Sequence, residues 1–566
     1  MSKKSKLIAY SLKNHIEVRG WSPAYLGIVV ALIFLVFSFL PSLLPRPWYI
    51  QGLISGLSMA IGYLIGATSS VLIRWFTEKE ISANQKEWAW KILLVFLPVT
   101  LFAALFYGRV WQNEVRRLLD VETIGPEQSI LIIASTITSF VMVYFIGRLF
   151  LGLTKRFRTA LNSNAPRRVS AAIAISMTVF IFYFVTSGVF ARTFFKLADR
   201  SFYAREETVP EGIKQPTSDY KSGSPNSSIP WKNIGFQGRG FVGGGPTKEE
   251  ISDYKGVKAL EPVRIYAGYT AADNAESRAK LAVEELKRTD AFSREVLVIA
   301  TPTGTGWIDP SVSDALEYMY DGDSAIITQQ YSYLPSWISF LVDKDRATET
   351  GRALYDAVME EWLAYPEAKR PKLLVYGLSL GSYGGQDPFS GANDMRRSVD
   401  GALFTGTPNA SQQWAGITSQ RDEGSPEWQP IYKGGKSVRF ASSKHEILQD
   451  DTTWNDKTRI LYLQHANDPV VWFDSDLLFN KPDWLKEKRG TAVSSATRWF
   501  PVLSFLHIGL DQAIAGSAPI GQGHYYIDTT AYAWQMVARP EGWTTSDSDR
   551  LQTHIKENSD REIATP

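Results

Sequence analysis

The residues best suited to chemistry lie in Lys372–Gly385, where an apolar run ends in a G-x-S-x-G pattern formed by Gly377, Ser379 and Gly381. Glycines on both sides of a serine permit a sharp turn from a strand into a helix, and this turn exposes the serine hydroxyl above the sheet. The backbone N–H of Leu380 would then point toward a developing oxyanion. The pattern predicts Ser379 as a nucleophile, with an ordinary glycine-rich turn as the alternative.

A nucleophilic serine needs a general base, most often histidine, because its hydroxyl is scarcely ionised at neutral pH. Of the six histidines, His507 and His524 follow the nucleophile at a suitable distance. His507 lies in the apolar run Phe505–Ala515, where a partly buried structural histidine is the simpler interpretation. His524 lies in a glycine-rich loop before the helix-like run Asp528–Val537. We therefore predict His524 as the base.

The base in turn needs a carboxylate that holds it in the correct tautomer. When the chain order is serine, acid, histidine, the acid lies between the other two residues. Asp468 closely follows the apolar run Ile460–Leu463 and is predicted as the acid. Asp474 and Asp476 lie further along the chain and fit solvated surface acids.

A second oxyanion donor is expected from the loop that follows an earlier strand. The glycine-rich loop Thr303–Trp307 follows the apolar run Val296–Ala300. Its glycines allow the backbone to approach a substrate closely. The backbone N–H of Thr305 or of Gly306 is the predicted donor.

Cofactor chemistry has no support in the sequence. The chain contains no cysteine, no H-E-x-x-H and no P-loop pattern, so we expect neither a metal nor a cofactor. The formal net charge is only +2, and the basic residues are scattered. Nucleic acid is therefore an unexpected partner.

The elements that would position these residues alternate between strand and helix. Helix Ala275–Arg288 and a helix around Leu354–Trp362 separate short apolar runs, which predicts an α/β domain with a mostly parallel sheet. In such a sheet, functional residues gather beyond the carboxyl ends of the strands. The predicted strands are Val263–Ala267, Val296–Ala300, Ala325–Thr328, Leu373–Tyr376, Ala402–Phe404 and Ile460–Leu463.

The N-terminal third contains five apolar stretches of bilayer-crossing length, none of which has an acidic residue in its interior. They predict an α-helical membrane domain with five transmembrane helices. The stretches run approximately from Tyr25 to Leu44, Ile50 to Ile73, Ile92 to Tyr107, Ile130 to Leu151 and Val169 to Ala191, and the third is the shortest.

Lysine and arginine counts in the short flanks of these stretches predict the orientation. One side carries fifteen of these residues and the other carries four, or eight if the four that follow the last span are included. The richer side faces the cytoplasm. An odd number of spans then places the rest of the chain outside, in a multi-pass protein of the cell membrane.

The domain organisation follows from these features. Glycine pairs in the second span, Gly52 with Gly56 and Gly62 with Gly66, favour helix packing within the bundle over dimerisation. The glycine-rich segment Gly238–Gly245 is expected to pack on the catalytic domain. The predicted divisions are a cytoplasmic basic tail (1–20), a membrane domain (21–193), an extracytoplasmic linker (194–255), a catalytic domain (256–545) and a polar C-terminal tail (546–566).

The chain resembles the actinobacterial membrane-anchored alpha/beta-hydrolase family, whose members join a multi-span N-terminal domain to a hydrolase domain. The elbow Gly377–Gly381, the Thr303–Trp307 loop, Gly523-His524 and the linker segment Gly238–Val242 carry this resemblance. It implies an alpha/beta-hydrolase fold with a triad of serine, aspartate and histidine, which maps here to Ser379, Asp468 and His524.

These features together predict a serine esterase or lipase, or an acyltransferase, that acts through an acyl-enzyme. Membrane lipids and a lipid or acyl ester of the cell envelope are the expected partner and substrate. The stretch Tyr331–Val342 is apolar and aromatic, and it suits a lid, an acyl pocket or ordinary core. The rival hypotheses are a peptidase and a lipid-translocation or channel-like membrane protein with a regulatory hydrolase-like domain.

Overall fold

The computed structural model describes residues 24–77, 82–162, 166–183, 203–335, 338–340, 344–449, 454 and 456–558. These residues form two compact units. Unit 1 contains the residues up to 117 together with 121–183 and 496–510. Unit 2 contains 118–120, 203–495 and the residues from 511 onward. Each unit has its own architecture.

Unit 1 is helical. Three of its helices are long and apolar enough to cross a membrane, over Trp48–Ile73, Asn84–Leu118 and Gln128–Leu161, which supports a membrane protein. The apolar helices for the first and fifth predicted spans are shorter, at Tyr25–Ser38 and Val169–Tyr183. The rest of the fifth span and the basic tail 1–20 lie outside the described residues. The helices are α1 (Tyr25–Ser38), α2 (Trp48–Thr77), α3 (Ala83–Leu118), α4 (Gln128–Leu161) and α5 (Arg167–Tyr183).

The glycine pairs of α2 are used within unit 1. A Cβ atom added at Gly52 would lie 2.3 Å from the Cβ of Ser135 in α4, and one at Gly66 would lie 2.3 Å from the carbonyl oxygen of Leu26 in α1. The two pairs therefore allow the backbone of α2 to approach two different helices. The expected packing role is confirmed.

Residues 496–510 also belong to unit 1, although the sequence places them inside the predicted catalytic range 256–545. Phe500 stacks on Phe37 of α1 with ring centroids 4.6 Å apart. His507 is buried in this segment. Its apolar composition fits a core helix of either unit, so the sequence alone could not assign it.

Unit 2 contains a seven-stranded sheet in which every pairing is parallel. The expected α/β fold class, with membrane helices followed by a parallel sheet, is confirmed. All six predicted strands are present, and the sheet order is β1-β3-β2-β4-β5-β7-β6. The strands are β1 (Val263–Ala267), β2 (Val296–Thr301), β3 (Ser324–Gln329), β4 (Lys372–Leu378), β5 (Gly401–Thr405), β6 (Val438–Ala441) and β7 (Arg459–Leu463).

Helices connect and flank these strands, and all but one of them lie wholly in unit 2. Ala275–Arg288 is a helix, as predicted, because Asn274 caps its first turn and Ala279, Ala282 and Leu286 form a buried face. The helices are α6 (Phe236–Gly243), α7 (Lys248–Lys255), α8 (Ala275–Arg288), α9 (Pro310–Met319), α10 (Lys344–Ala364), α11 (Leu380–Gly385), α12 (Ala392–Ser398), α13 (Gln412–Ser419), α14 (Lys444–Leu448), α15 (Pro469–Trp472), α16 (Asp483–Lys486), α17 (Leu503–Asp511, mostly in unit 1), α18 (Thr530–Val537) and α19 (Thr545–Glu557).

Two stretches outside the predicted catalytic range are packed parts of unit 2. The glycine-rich linker segment forms α6, and a Cβ atom added at Gly238 would lie 2.4 Å from the ring of Tyr266 in β1. The expected packing of this segment is confirmed. The predicted polar tail begins with α19, whose Leu551 and Ile555 are buried. The sequence of α19 is mostly polar, so its composition alone did not indicate an amphipathic helix.

Candidate active site

The sharp turn at Ser379, the nucleophile elbow, is formed by the backbone. Ser379 lies between β4 and α11 with φ 57° and ψ −125°, a conformation that L-residues rarely adopt. A Cβ atom at Gly377 would lie 2.5 Å from the carbonyl oxygen of Gly381, and one at Gly381 would lie 2.2 Å from that of Thr301. Only glycine therefore fits at either position, as the sequence pattern predicts.

Ser379 opens into a cavity of about 370 Å³. Its N–H donates to the carbonyl oxygen of Thr405 at 2.8 Å, which fixes the turn on the neighbouring strand. The cavity wall includes the side chains of the predicted base, the oxyanion loop and several aromatic residues. Among them are Phe236, Thr303, Thr305, Trp307, Tyr333, Phe340, Leu378, Leu380, Val470 and His524.

Asp468 and His524 are in direct contact. The Nδ1 of His524 lies 2.7 Å from Oδ2 of Asp468, which is fully buried. The other carboxylate oxygen accepts from the N–H of Val470 at 2.8 Å. Because a carboxylate only accepts, Nδ1 carries the proton and Nε2 keeps its lone pair. Among the described residues Nε2 has no hydrogen-bond partner, and His524 lines the Ser379 cavity, so Nε2 is the ring nitrogen left to accept a proton.

Tyr526 is a residue of the candidate site that the sequence analysis missed. Its hydroxyl donates to Oδ2 of Asp468 at 2.7 Å and accepts from the N–H of His465 at 3.1 Å. Burial and the neighbouring Asp468 raise the pKa of Tyr526 well above its ordinary value. The hydroxyl therefore stays protonated and remains a donor to the carboxylate. Its position two residues after the predicted base is the only sequence signal for it.

His465 is a buried neighbour of this network. Its Nδ1 lies 2.8 Å from the carbonyl oxygen of Gly523, so Nδ1 is the donor. Its ring stacks on Tyr526 with centroids 4.2 Å apart. Burial lowers the pKa of His465, which keeps the ring neutral. His465 therefore packs under the predicted base and is not placed to act on Ser379.

Gly406 makes room for the base and was also missed. Its φ is +55°, and an added Cβ atom would lie 2.4 Å from Cε1 and 2.8 Å from Nδ1 of His524. The imidazole of His524 thus packs directly against the backbone of Gly406. No pattern in the surrounding sequence reveals the contact, because it joins residues that are far apart in the chain.

The two predicted oxyanion donors of the Thr303–Trp307 loop differ in their surroundings. Thr305 lines the cavity together with Leu380. The N–H of Gly306 instead donates to the carbonyl oxygen of Thr303 at 2.9 Å, inside the loop. The geometry favours Thr305 over Gly306 as the partner of Leu380.

Two further parts of the chain reach the cavity. Arg205 and Glu206 come from the predicted linker, and neither was predicted as a site residue. Tyr333, Pro335 and Phe340 come from the apolar stretch 331–342 and line the cavity wall. Residues 336–337 and 341–342 of that stretch lie outside the described residues.

Comparison with known families gives two matches. A family model described as the alpha/beta-hydrolase family matches residues 263–551, and one described as the N-terminus of that family matches residues 39–246. Neither description names a group of organisms, so an actinobacterial origin stays a prediction. No curated protein and no solved structure matches the chain.

Proposed function

Because the chain belongs to the alpha/beta-hydrolase family, which supports a hydrolase-type enzyme, we propose that it is a membrane-anchored serine hydrolase. It acts as an esterase, a lipase or an acyltransferase through an acyl-enzyme. The observation that carries the proposal is the arrangement of His524. Its Nδ1 is held by Asp468, its Nε2 has no partner among the described residues, and His524 lines the same cavity as Ser379.

In the first half of the reaction, Ser379 Oγ attacks the acyl carbon of an ester while Nε2 of His524 accepts the hydroxyl proton. Asp468 stabilises the resulting imidazolium and holds its orientation. The N–H of Leu380 and a donor of the Thr305 loop stabilise the oxyanion. The tetrahedral intermediate then collapses, and His524 returns the proton to the leaving alcohol.

In the second half, water or another alcohol attacks the acyl-enzyme. His524 accepts the proton of the incoming hydroxyl and then returns it to Ser379 Oγ. Water gives hydrolysis, and an alcohol gives acyl transfer. The same residues perform both outcomes, so the proposal covers both.

The cavity lining supports an acyl substrate. Phe236, Trp307, Phe340, Leu378 and Val470 contribute apolar surface around Ser379, which suits an acyl chain. Together with the three helices that are long and apolar enough to cross a membrane, this lining favours lipids or acyl esters of the cell envelope. The lysine and arginine distribution supports a catalytic domain outside the cytoplasm.

The direct test is labelling of membranes with a fluorophosphonate probe, which forms a bond between phosphorus and an activated serine oxygen. Wild-type protein and a Ser390→Ala control, which alters an exposed serine near the end of α11, should be labelled equally. Ser379→Ala should lose the label. A folded wild-type protein that is not labelled, or a label that survives Ser379→Ala, would overturn the proposal.

A further inference from the structure

A second cavity, of about 370 Å³, lies beside the first. The two cavities share Glu206 and Tyr333 as wall residues. The remaining wall of the second cavity includes Tyr203, Lys232, Asn233 and Thr270. A ligand group in the second cavity would therefore be adjacent to an ester group at Ser379.

The wall of the second cavity is held in place by Arg239. Its Nη1 donates to the carbonyl oxygens of Glu206 at 2.9 Å and Thr208 at 2.5 Å, and its Nη2 donates to that of Lys232 at 3.1 Å. One guanidinium thus ties together two of the chain segments that form the wall, around Glu206 and around Lys232. Because its donors are engaged with backbone carbonyls, Arg239 serves as a structural tie, and the cavity is organised before a ligand arrives.

The polar groups of the wall include both donors and acceptors. Oε2 of Glu206 accepts from Nε2 of the buried Gln330 at 3.2 Å. Burial raises the pKa of Glu206 to about 7, so at neutral pH its carboxyl group both donates and accepts. The amide of Asn233 donates to the carbonyl oxygen of Thr270 at 2.8 Å, and Lys232 adds an ammonium donor.

Three tyrosines add ring surface to the polar groups. Tyr333 makes edge contacts with Tyr203, at a centroid distance of 5.8 Å, and with Tyr269, at 5.4 Å. Such rings present an apolar face together with a hydroxyl tip. A group that combines C–H surface with many hydroxyls matches this lining.

The charges of the wall argue against the two common charged headgroups. The carboxylate of Glu207, and that of Glu206 in the fraction of molecules where it is ionised, would repel a phosphate group. Lys232 would repel an ammonium group, and the guanidinium of Arg278 already lies over the ring of Tyr269, 5.2 Å from its centroid. A neutral group with many hydroxyls conflicts with none of these charges and can pair with most of them.

We infer that the second cavity binds the polyhydroxylated part, a sugar or polyol, of an ester whose acyl carbonyl is attacked by Ser379. This inference rests on the proposed hydrolase function and narrows its substrate to acylated sugars or polyols. The acyl chain occupies the cavity of Ser379, and the hydroxylated part contacts Asn233, Tyr203 and Glu206.

The kinetic test compares two esters with the same acyl chain, 6-O-octanoyl glucose and ethyl octanoate, on full-length protein in lipid nanodiscs. The kcat/KM of wild type should be about tenfold higher for the glucose ester. Asn233→Ala and Tyr203→Ala should each lower the ratio of the two kcat/KM values about fivefold, which corresponds to one hydrogen bond between neutral groups. The control Asn226→Ala changes an exposed amide outside both cavities and should leave the ratio unchanged.

A second readout separates this inference from the proposed function. Saturation-transfer NMR with methyl glucoside detects sugar binding without hydrolysis, and fluorophosphonate labelling of the same samples reports on Ser379. A sugar signal that Asn233→Ala removes, in a protein that is not labelled, leaves the sugar site standing and overturns the hydrolase proposal. Normal labelling with an unchanged kinetic ratio in both variants, and with no sugar signal, overturns the sugar site alone.

Discussion

Ser379 and His524 line the same cavity, but they are held there by different means. Ser379 is positioned by its backbone, in a strained turn between two glycines that leave no room for a side chain. His524 is positioned by contacts with two residues far from it in the chain, the carboxylate of Asp468, which also accepts from the hydroxyl of Tyr526, and the backbone of Gly406.

This difference determines which substitutions should reduce activity. Around Ser379, activity should be lost when a substitution adds a side chain at one of the glycines of the turn. On the base side, the loss of one charge or one hydroxyl should suffice, because each polar group of the network restrains the next. Graded substitutions in the network therefore test whether His524 depends on it.

The largest effect is expected from Asp468→Asn. Asparagine keeps the size of the side chain but removes the charge and stabilises the wrong tautomer of His524, so kcat should fall by about 10³ to 10⁴. The measurement is the hydrolysis of p-nitrophenyl octanoate, with the exposed Asp476→Asn as the control. A loss of less than tenfold would show that Asp468 does not orient the base.

Gly406→Ala should lower kcat about 100-fold. Alanine would be strained at the φ of +55°, and its methyl group would lie 2.4 Å from Cε1 of His524. Displacing the imidazole by about 1 Å costs a rate factor of roughly this size. Gly416→Ala is the matched control, since a Cβ atom at that glycine meets no atom within 4 Å.

The unfolding midpoint of Gly406→Ala must be measured alongside its activity. A variant that is folded and fully active would show that the imidazole does not rest on this backbone.

Tyr526→Phe should have a smaller effect, about tenfold on kcat with little change in KM. The substitution removes the hydrogen bond that the hydroxyl donates to the carboxylate of Asp468 and the one that it accepts from the N–H of His465, and it keeps the ring that stacks on His465. Steady-state kinetics provides the test, with the exposed Tyr220→Phe as the control. If KM rises and kcat is unchanged, Tyr526 contacts substrate and does not act through Asp468.

The same contrast explains how much the sequence could predict. The turn at Ser379 was predictable because its geometry requires glycines within five residues. Six strands were predictable because each is an apolar run, whereas β6 has only four residues and lies at the edge of the sheet. Tyr526 and Gly406 act through contacts between residues far apart in the chain, and no local pattern records such contacts.

The smallest effect is expected from a substitution of Glu206, which is linked to the oxyanion loop through the side chain of Gln330. Gln330 donates to both Glu206 and the carbonyl oxygen of Thr305. Burial raises the pKa of Glu206 from 4.5 to about 7, so the folded protein binds more protons than the unfolded chain between these values. The free energy of unfolding should therefore fall as the pH rises through this window.

For Glu206→Gln, this pH-dependent fall should be smaller by about 1 kcal/mol, a figure reduced for the partial exposure of the carboxyl group. Thermal unfolding at pH 5 and pH 8 measures it, and the exposed Glu207→Gln should behave as wild type. An identical pH dependence in wild type and Glu206→Gln would show that the pKa of Glu206 is not raised by folding.

The proposed mechanism requires that Ser379 form an acyl-enzyme with the help of His524. The most direct measurement is mass spectrometry of peptides after the full-length protein is mixed with p-nitrophenyl octanoate and quenched in acid. An octanoyl group is expected on the peptide that contains Ser379, and no octanoyl group is expected in Ser379→Ala or in His524→Gln. Ester turnover with no acyl group on Ser379, or with the acyl group on another residue, would contradict it.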